Sequence, residues 1–181
     1  RTGSNNLLKE HTILLEKVQA DITGCLRFAE TKNGALLAFD IALLFGIPKI
    51  PDVSVKVKYI VTAMIIYSLI ITLWSFWPIN KKIKKAEKRK VNCDLLHFAY
   101  IAMYTRNEYL VELYKSYWKN EVVDFDKISQ EEKDLAQEIV MNSRIAVRKQ
   151  NLFKISLGIT EMALVLLLIK TVESLLRMVI S

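Results

Sequence analysis

The sequence has few of the residues that usually carry catalysis, metal binding or tight turns. Its 181 residues include two histidines and two cysteines, too few for a four-ligand zinc site unless all four converge. Five glycines and three prolines argue against a turn-rich β fold and favour long helices. The glycine-rich phosphate loops, the HExxH motif and the GxSxG motif are absent from the sequence. We therefore expect no enzymatic activity, no metal and no cofactor.

What the chain does have is an unusual combination of charge and hydropathy. Its net charge is +7 and 52% of its residues are hydrophobic, with a mean hydropathy of +0.21. A soluble nucleic-acid binder would explain the charge but not the hydropathy. A membrane protein explains both, because basic residues collect on its cytoplasmic side. We interpret residues 1–4 as the remnant of an expression tag, and no signal peptide follows them.

Three apolar segments predict an all-α integral membrane protein with three transmembrane helices. Tyr59–Ile79 has 21 residues without a charge, enough to cross the roughly 30 Å hydrocarbon core. Its end carries Trp74, Phe76 and Trp77, typical of a membrane interface, and Pro78 is expected to end or kink the helix. Asn33–Ile47 and Ile155–Ile169 are shorter, and each contains one carboxylate. Residues 33–79 are expected to form an N-terminal transmembrane hairpin.

One basic run predicts the orientation. Residues 81–90 contain seven basic residues and one acidic residue, so they hold +6 of the net charge of +7. A basic run at the end of a span is typical of the cytoplasmic side. We therefore expect the N-terminus and residues 80–150 to be cytoplasmic. The run is either a topology signal that attracts membrane lipids or part of an anionic-ligand site.

The cytoplasmic residues have helical periodicity. Residues 5–32 predict an amphipathic helix that continues into the first span. Asp94–Trp118 predicts one helix, in which His97 is a packing residue and the many tyrosines form either a core or a stacking platform for a nucleobase. Ser129 and Glu132 form a capping box. The helix they start is expected to run on as one rod into the last segment, 151–181, which holds the third span and an outer C-terminus.

Two carboxylates fall inside predicted spans. Asp40 lies in the first span and Glu161 in the third, where Lys154, Gly158 and Glu161 share a helix face. Such residues usually face a bundle interior, a partner or water. Asp40, Lys154 and Glu161 are therefore either polar residues of a cation pathway or groups with a structural role, such as a hydrogen bond between spans.

Two motifs resemble a known family. Residues 95–113 have the pattern LLHFAYIAxxTxxEYLxxL, and residues 134–154 have DLAxEIxxNSxIAxxKxxxFK. With the early hairpin and the final span, they resemble the membrane-spanning effectors of bacterial Pycsar anti-phage systems (PycTM-like) from about Asp21 to Ile169. A third, weaker motif departs from the expected A-D-x-K, because Glu30 stands at its second position.

The resemblance implies an effector in the bacterial inner membrane that is controlled by a nucleotide from a companion nucleotide-synthesising enzyme. The signal is either a cyclic pyrimidine mononucleotide, as in Pycsar, or a short DNA oligomer that holds a channel closed, as in the related Hailong type. Carried over to this sequence, the motif positions join the basic residues as candidate ligand contacts, although the same polar groups could instead hold the helices together. The candidates are Lys32, Lys85, Lys88, Arg89, Arg106, Glu108, Tyr109, Asn142, Ser143, Arg144 and Lys149.

These expectations predict an anti-phage effector that forms an ion channel or pore. Three spans cannot enclose a pore alone, so we expect a homo-oligomer, with a tetramer as the specific prediction. Membrane disruption and abortive infection would follow. The alternatives are a membrane-anchored scaffold that recruits partners without conduction, and a membrane-bound enzyme acting on lipid or nucleotide.

Overall fold

A computed structural model describes residues 2–51, 53–78, 94–118, 125–126 and 128–180. Within these residues there are five α-helices: α1 (Thr2–Gly46), α2 (Val55–Phe76), α3 (Phe98–Ile101), α4 (Arg106–Trp118) and α5 (Gln130–Ile180). A short 3-10 turn at Ile47–Lys49 follows α1. The described residues contain no strand, which confirms the all-α prediction.

The chain forms two compact units. Unit 1 comprises Arg1–Phe28 and Ile79–Arg148, and unit 2 comprises Ala29–Pro78 and Lys149–Ser181. The 45-residue α1 and the 51-residue α5 each contribute residues to both units. The expected continuation of the N-terminal helix into the first apolar segment is confirmed, as is the single long helix from Gln130 onward.

Unit 1 is held together by an apolar core between four helices. α1 contributes Leu15, Val18 and Ile22 to this core at spacings of three and four residues, which place them on one helix face. α4 and α5 contribute fully buried residues at similar spacings, among them Leu110, Leu113, Ala136, Ile139 and Val140. Burial of this apolar face stabilises helices whose exposed faces are charged.

Unit 2 is a bundle of the second part of α1, α2 and the second part of α5. Pro48 lies in the 3-10 turn after α1, and the Ser54 side chain accepts a hydrogen bond from the Val57 backbone N–H at 3.4 Å as the N-cap of α2. α2 ends at Phe76, two residues before Pro78, which cannot continue the hydrogen-bond ladder. The helix stop predicted at Pro78 is thus confirmed. Ile79 lies outside the described residues.

The prediction of one helix over Asp94–Trp118 is wrong. The structure has a short helix, α3, then a turn at residues 102–105, then α4. Thr105 and Glu108 form a capping box that begins α4: Glu108 accepts from the Thr105 backbone N–H at 2.8 Å and Thr105 Oγ1 accepts from the Glu108 N–H at 3.3 Å. His97 is the exposed N-cap of α3 and accepts from the Ala99 N–H at 3.3 Å. Its ring packs on Phe98 and Tyr100 with centroids 4.6 Å and 5.8 Å apart, so it is a packing residue, but one at the surface of unit 1.

Two helices are long and apolar enough to cross a membrane. They are Val55–Phe76 and Gln130–Met178 in the described chain, which correspond to the second and third predicted spans. The first predicted span, Asn33–Ile47, lies in α1 as far as Gly46, and α1 does not meet the same criterion of length and hydropathy. The described residues therefore contain two apolar helices long enough to cross a membrane, where the sequence predicts three spans.

Candidate functional site

A buried carboxylate joins the three helices of unit 2. Asp40 of α1 has no exposed surface. It accepts a hydrogen bond from Ser68 Oγ of α2 at 2.6 Å and one from Thr160 Oγ1 of α5 at 2.9 Å. The two hydroxyls lie 2.9 Å apart, and Ser68 Oγ also lies 3.1 Å from the carbonyl oxygen of Ser156. Asp40 therefore makes hydrogen bonds between helices, as its structural interpretation predicts. A role in a cation pathway stays a prediction.

Glu161 is placed quite differently. It is exposed on α5, as is Lys154, while the next residues toward the bundle, Thr160 and Ala163, are buried. Because a helix turns every 3.6 residues, Lys154 and Glu161, seven residues apart, lie on the outer face of α5, with the half-buried Gly158 between them. The two carboxylates thus face in different directions, one into the bundle and one away from it.

Unit 1 contains a second buried polar cluster, which the sequence reasoning missed. Tyr114 OH lies 3.0 Å from His11 Nδ1 and donates to Glu132 Oε1 at 2.8 Å. His11 Nδ1 is 3.4 Å from the same Glu132 oxygen. The Trp118 ring packs on the His11 ring with centroids 3.9 Å apart. We call His11, Tyr114, Trp118 and Glu132 the histidine–glutamate cluster.

The histidine–glutamate cluster is closed by the start of α5. Glu132 Oε2 accepts hydrogen bonds from Ser129 N and Ser129 Oγ, both at 2.9 Å, and Ser129 Oγ accepts from the Glu132 N–H at 3.2 Å. The predicted capping box is confirmed, and its glutamate is fully buried. Burial raises the pKa of Tyr114 far above its ordinary value, and the hydrogen bond to Glu132 and its charge raise it further. Tyr114 therefore remains a neutral donor.

The family-motif residues of α4 and α5 surround the turn between α3 and α4. Arg144 donates through Nε to the carbonyl oxygen of Ala102 at 3.2 Å and through a terminal nitrogen to that of Tyr104 at 2.7 Å. Burial lowers the pKa of Arg144, and the nearby charge of Glu108 opposes that shift. Tyr109 is fully buried and donates to the carbonyl oxygen of Leu95 at 3.2 Å. Burial raises the pKa of Tyr109, with a smaller contribution from Tyr117.

Other candidate ligand residues of unit 1 lie nearby on the same helices. Ser143 is fully buried, and its hydroxyl has no hydrogen-bond partner among the described residues. Asn142 and Arg106 are half-buried, and Arg106 Nε donates to Asn107 Oδ1 at 3.0 Å. The observed contacts make Glu108 part of the cap of α4 and give Tyr109 and Arg144 a role in holding α4 and α5 to the segments that flank α3. Ligand binding by the whole set stays a prediction, and Lys85, Lys88 and Arg89 lie outside the described residues.

The remaining two candidates, Lys32 and Lys149, lie in unit 2. Lys149 forms an ion pair with Glu30, so two positions of the family motifs meet across α1 and α5. Lys149 Nζ is also 5.8 Å from the centroid of the Phe76 ring, and Lys32 Nζ is 5.6 Å from that of Phe153. Both ammonium groups thus lie within the range of a cation–π contact.

Unit 2 also has an open cleft that no sequence pattern indicated. Its volume is about 280 Å³, and it is lined by Ser54, Val57, Lys170, Glu173, Ser174 and Arg177. Within the described part of the chain, no group of three or more His, Cys, Asp or Glu residues is arranged to hold a metal ion.

These features define a helical protein with a polar, hydrogen-bonded unit and a second unit rich in exposed apolar surface. A protein-family profile, described as the Pycsar effector protein domain (PycTM), matches residues 14–174. The chain belongs to this family, as the motifs predicted, and the family has the role of an effector in anti-phage defence. Pycsar effectors respond to cyclic nucleotide signals from a companion cyclase. No curated protein and no solved structure matches the chain.

Proposed function

We propose that this chain is a membrane effector that assembles into a homo-oligomeric ion channel or pore in the bacterial inner membrane. A nucleotide controls whether this channel or pore is open. Its opening disrupts the membrane and causes abortive infection. The observation that carries the proposal is the position of Glu161, a charged residue on the outer face of an apolar helix. Membership of the Pycsar effector family supports the defence role.

Glu161 is surrounded by exposed apolar side chains. Met162, Val165 and Leu168 are 66%, 55% and 63% exposed, so this part of unit 2 is suited to contact lipid or another copy of the chain. A charged residue at the centre of a span costs roughly 2.5–3.5 kcal/mol on insertion scales. A carboxylate on such a surface is therefore expected to face water or a polar partner. A water-filled pathway lined by several copies of α5 satisfies that requirement.

The membrane location is supported by the surface of α2. Its exposed side chains include large apolar and aromatic groups along its length, and such a surface is unfavourable in water. Trp74 and Trp77, 63% and 72% exposed, lie at the end of the helix where an interfacial position suits an indole ring. With α1 and α5 beside it, we propose three spans per subunit, and several subunits around an axis, with a tetramer as the specific proposal.

We assign nucleotide binding to unit 1, including the basic run at residues 81–90. We place the N-terminus and residues 80–150 in the cytoplasm. The ligand is either a cyclic pyrimidine mononucleotide that opens the pathway or a short DNA oligomer that keeps it closed. The candidate ligand residues named from the family motifs supply charge and hydrogen-bond donors for either. We propose no catalytic role, because the polar groups described above serve as helix caps or as contacts between helices.

Ion flux through liposomes tests the proposal. Purified chain is reconstituted with a potassium gradient, and flux is compared between the wild type, Glu161→Gln and Glu173→Gln. Glu173 is an exposed carboxylate on the same helix that pairs with Lys170 at 2.8 Å, and it serves as the matched control. We expect Glu161→Gln to change conductance or cation selectivity at least several-fold, and Glu173→Gln to leave both unchanged. Identical flux in all three proteins would refute the assignment of Glu161 to the pathway.

The main alternative is a membrane-anchored scaffold that recruits partners without conduction. Liposomes that hold their gradient with the wild-type protein, both with and without cyclic mononucleotides and short oligonucleotides, would favour it. Equilibrium binding of labelled cyclic pyrimidine mononucleotides and labelled short DNA to the same preparation identifies the signal. Turnover of any of these nucleotides would instead indicate an enzyme.

A further inference from the structure

One half of the interior of unit 2, which we call the polar half, contains buried side-chain oxygens that have no hydrogen-bond partner among the described residues. Asn33, Thr72, Ser75 and Ser156 are all at most 1% exposed. Each has a side-chain oxygen without a hydrogen-bond partner among the described residues. Asn33 does use its amide nitrogen, which donates to the Ala29 carbonyl oxygen at 2.9 Å. An unpaired buried oxygen costs about 1–3 kcal/mol, so four in one bundle require an explanation.

These residues lie on one side of Asp40 along the bundle axis. Asp40 is level with Ser68 and Thr160 because it hydrogen-bonds to both. α1 and α5 run in the same direction in unit 2, since Glu30 pairs with Lys149 as Asp40 pairs with Thr160. α2 runs the opposite way after a short connection.

Helical rise then places the unpaired oxygens at successive depths. Thr72 follows Ser68 by four residues and Ser156 precedes Thr160 by four, so both lie about 6 Å from the Asp40 level. Asn33 and Ser75 are seven residues from Asp40 and Ser68, which places both about 10 Å away on the same side. The polar side chains thus continue from Asp40 toward the end of unit 2 that contains Ala29 and Phe76.

The other half of the bundle interior is apolar. The buried residues there form one cluster: Ile47, Val53, Val61, Ile65, Ala163 and Leu167. Ile65 and Ala163 each lie three residues beyond the Asp40 level, about 4.5 Å from it, on the side opposite to the unpaired oxygens. The interior of unit 2 therefore has buried polar groups on the Ala29 side of Asp40, beside the buried apolar side chains of Ala29 and Leu36, and an apolar cluster on the other side.

We infer that the polar half of unit 2 is a binding site for a file of water molecules that leads from its Ala29 end to Asp40 and stops at the apolar cluster. Water supplies the missing partners of the four oxygens, since buried water typically makes two to four hydrogen bonds to such groups. The inference rests on the proposal that unit 2 spans a membrane. Water then reaches Asp40 from one side only and competes for the hydrogen bonds that join α1, α2 and α5.

Cysteine accessibility to Ag⁺, an ion small enough to follow narrow water-filled paths, tests the inference. Single cysteines are introduced as Thr72→Cys, Ser75→Cys and Ala163→Cys in a Cys25→Ser, Cys93→Ser background. The proteins are reconstituted, exposed to Ag⁺, unfolded in detergent and labelled with a fluorescent maleimide. We expect the cysteines at 72 and 75 to react with Ag⁺ at least ten-fold faster than the one at 163. Equal rates at all three positions would overturn the inference.

A control at the same depth separates this inference from the membrane proposal. Ile70 lies between Ser68 and Thr72 on α2 and is 54% exposed, so a cysteine there faces lipid if unit 2 spans a membrane. We expect Ile70→Cys to be protected. Reaction at position 70 as fast as at the exposed Glu131→Cys would refute membrane embedding. Protection at positions 70, 72 and 75 together would leave embedding intact and refute the water file.

Discussion

The hydroxyl of Tyr114 offers the sharpest test of how unit 1 is stabilised. Tyr114→Phe removes one oxygen and leaves the ring, which packs on His11 and Trp118 at centroid distances of 4.7 Å and 5.0 Å. The lost oxygen is the one that donates to Glu132 Oε1 at 2.8 Å and lies 3.0 Å from His11 Nδ1. Its removal leaves two buried polar groups with one fewer partner.

The cost follows from burial. Glu132 is fully buried and Tyr114 is 6% exposed, so water cannot replace the missing hydroxyl. Loss of a partner from a buried polar group costs about 1–3 kcal/mol. For a chain of this size each kcal/mol lowers Tm by roughly 2–4 °C. We therefore expect a decrease of roughly 2–12 °C in Tm, measured in detergent by far-UV circular dichroism.

Tyr117→Phe is the matched control, because Tyr117 is on the same helix and is 46% exposed. It should change Tm by about 1 °C or less, as surface substitutions usually do. If Tyr114→Phe and Tyr117→Phe have the same Tm within error, the histidine–glutamate cluster does not stabilise unit 1 and the reasoning from burial is wrong.

Three further predictions concern Tyr114, the hydrogen bonds of Asp40 and the capping box of α4. Burial raises the pKa of Tyr114 above its ordinary value of 10.0. The stability that the protonated Tyr114 contributes is therefore fully present below about pH 10 and is lost as the pH rises further. The fall in Tm above pH 10 should be shallower in Tyr114→Phe than in the wild type, and parallel curves would contradict this. Ser68→Ala removes the donor to Asp40 at 2.6 Å and should destabilise unit 2 by about 0.6–1.7 kcal/mol. The control is Ser174→Ala, which changes a half-buried serine on α5 and should have little effect. Detergent-unfolding midpoints measure both. Glu108→Ala removes the acceptor for the Thr105 N–H and should cost about 1 kcal/mol in thermal unfolding; Glu112→Ala on the exposed face of α4 is the control, and equal Tm values for the two would rule out a stabilising capping box.

Local signals predicted the helix ends well where they were recognised. Ser129 and Glu132 are three residues apart, and their reciprocal hydrogen bonds depend only on that spacing. Thr105 and Glu108 have the same spacing, and the break in the predicted helix over Asp94–Trp118 could have been found from it. The apolar surface of that segment concealed the break, since its periodicity continues across the turn.

The contacts that define the two polar clusters could not be predicted in the same way. His11 and Tyr114 are separated by 103 positions in the sequence, and Asp40 and Thr160 by 120. No local pattern connects residues so far apart. His11 is one apolar-face position among several in α1, and only the approach of α4 and α5 gives it polar partners.

By itself, the sequence determined the helical class, the long α1 and α5, the apolar segments and the family, because periodicity, composition and motif spacing are properties of consecutive residues. Only the tertiary structure decided where each carboxylate lies. Asp40 and Glu161 both interrupt apolar runs, and their sequence contexts are similar. Packing of three helices buries Asp40 against two hydroxyls, while the same helix that carries Thr160 toward Asp40 turns Glu161 outward. Successive residues of a helix are about 100° apart around its axis, so Thr160 and Glu161 face in different directions. The packing of neighbouring helices decides which of the two faces the interior.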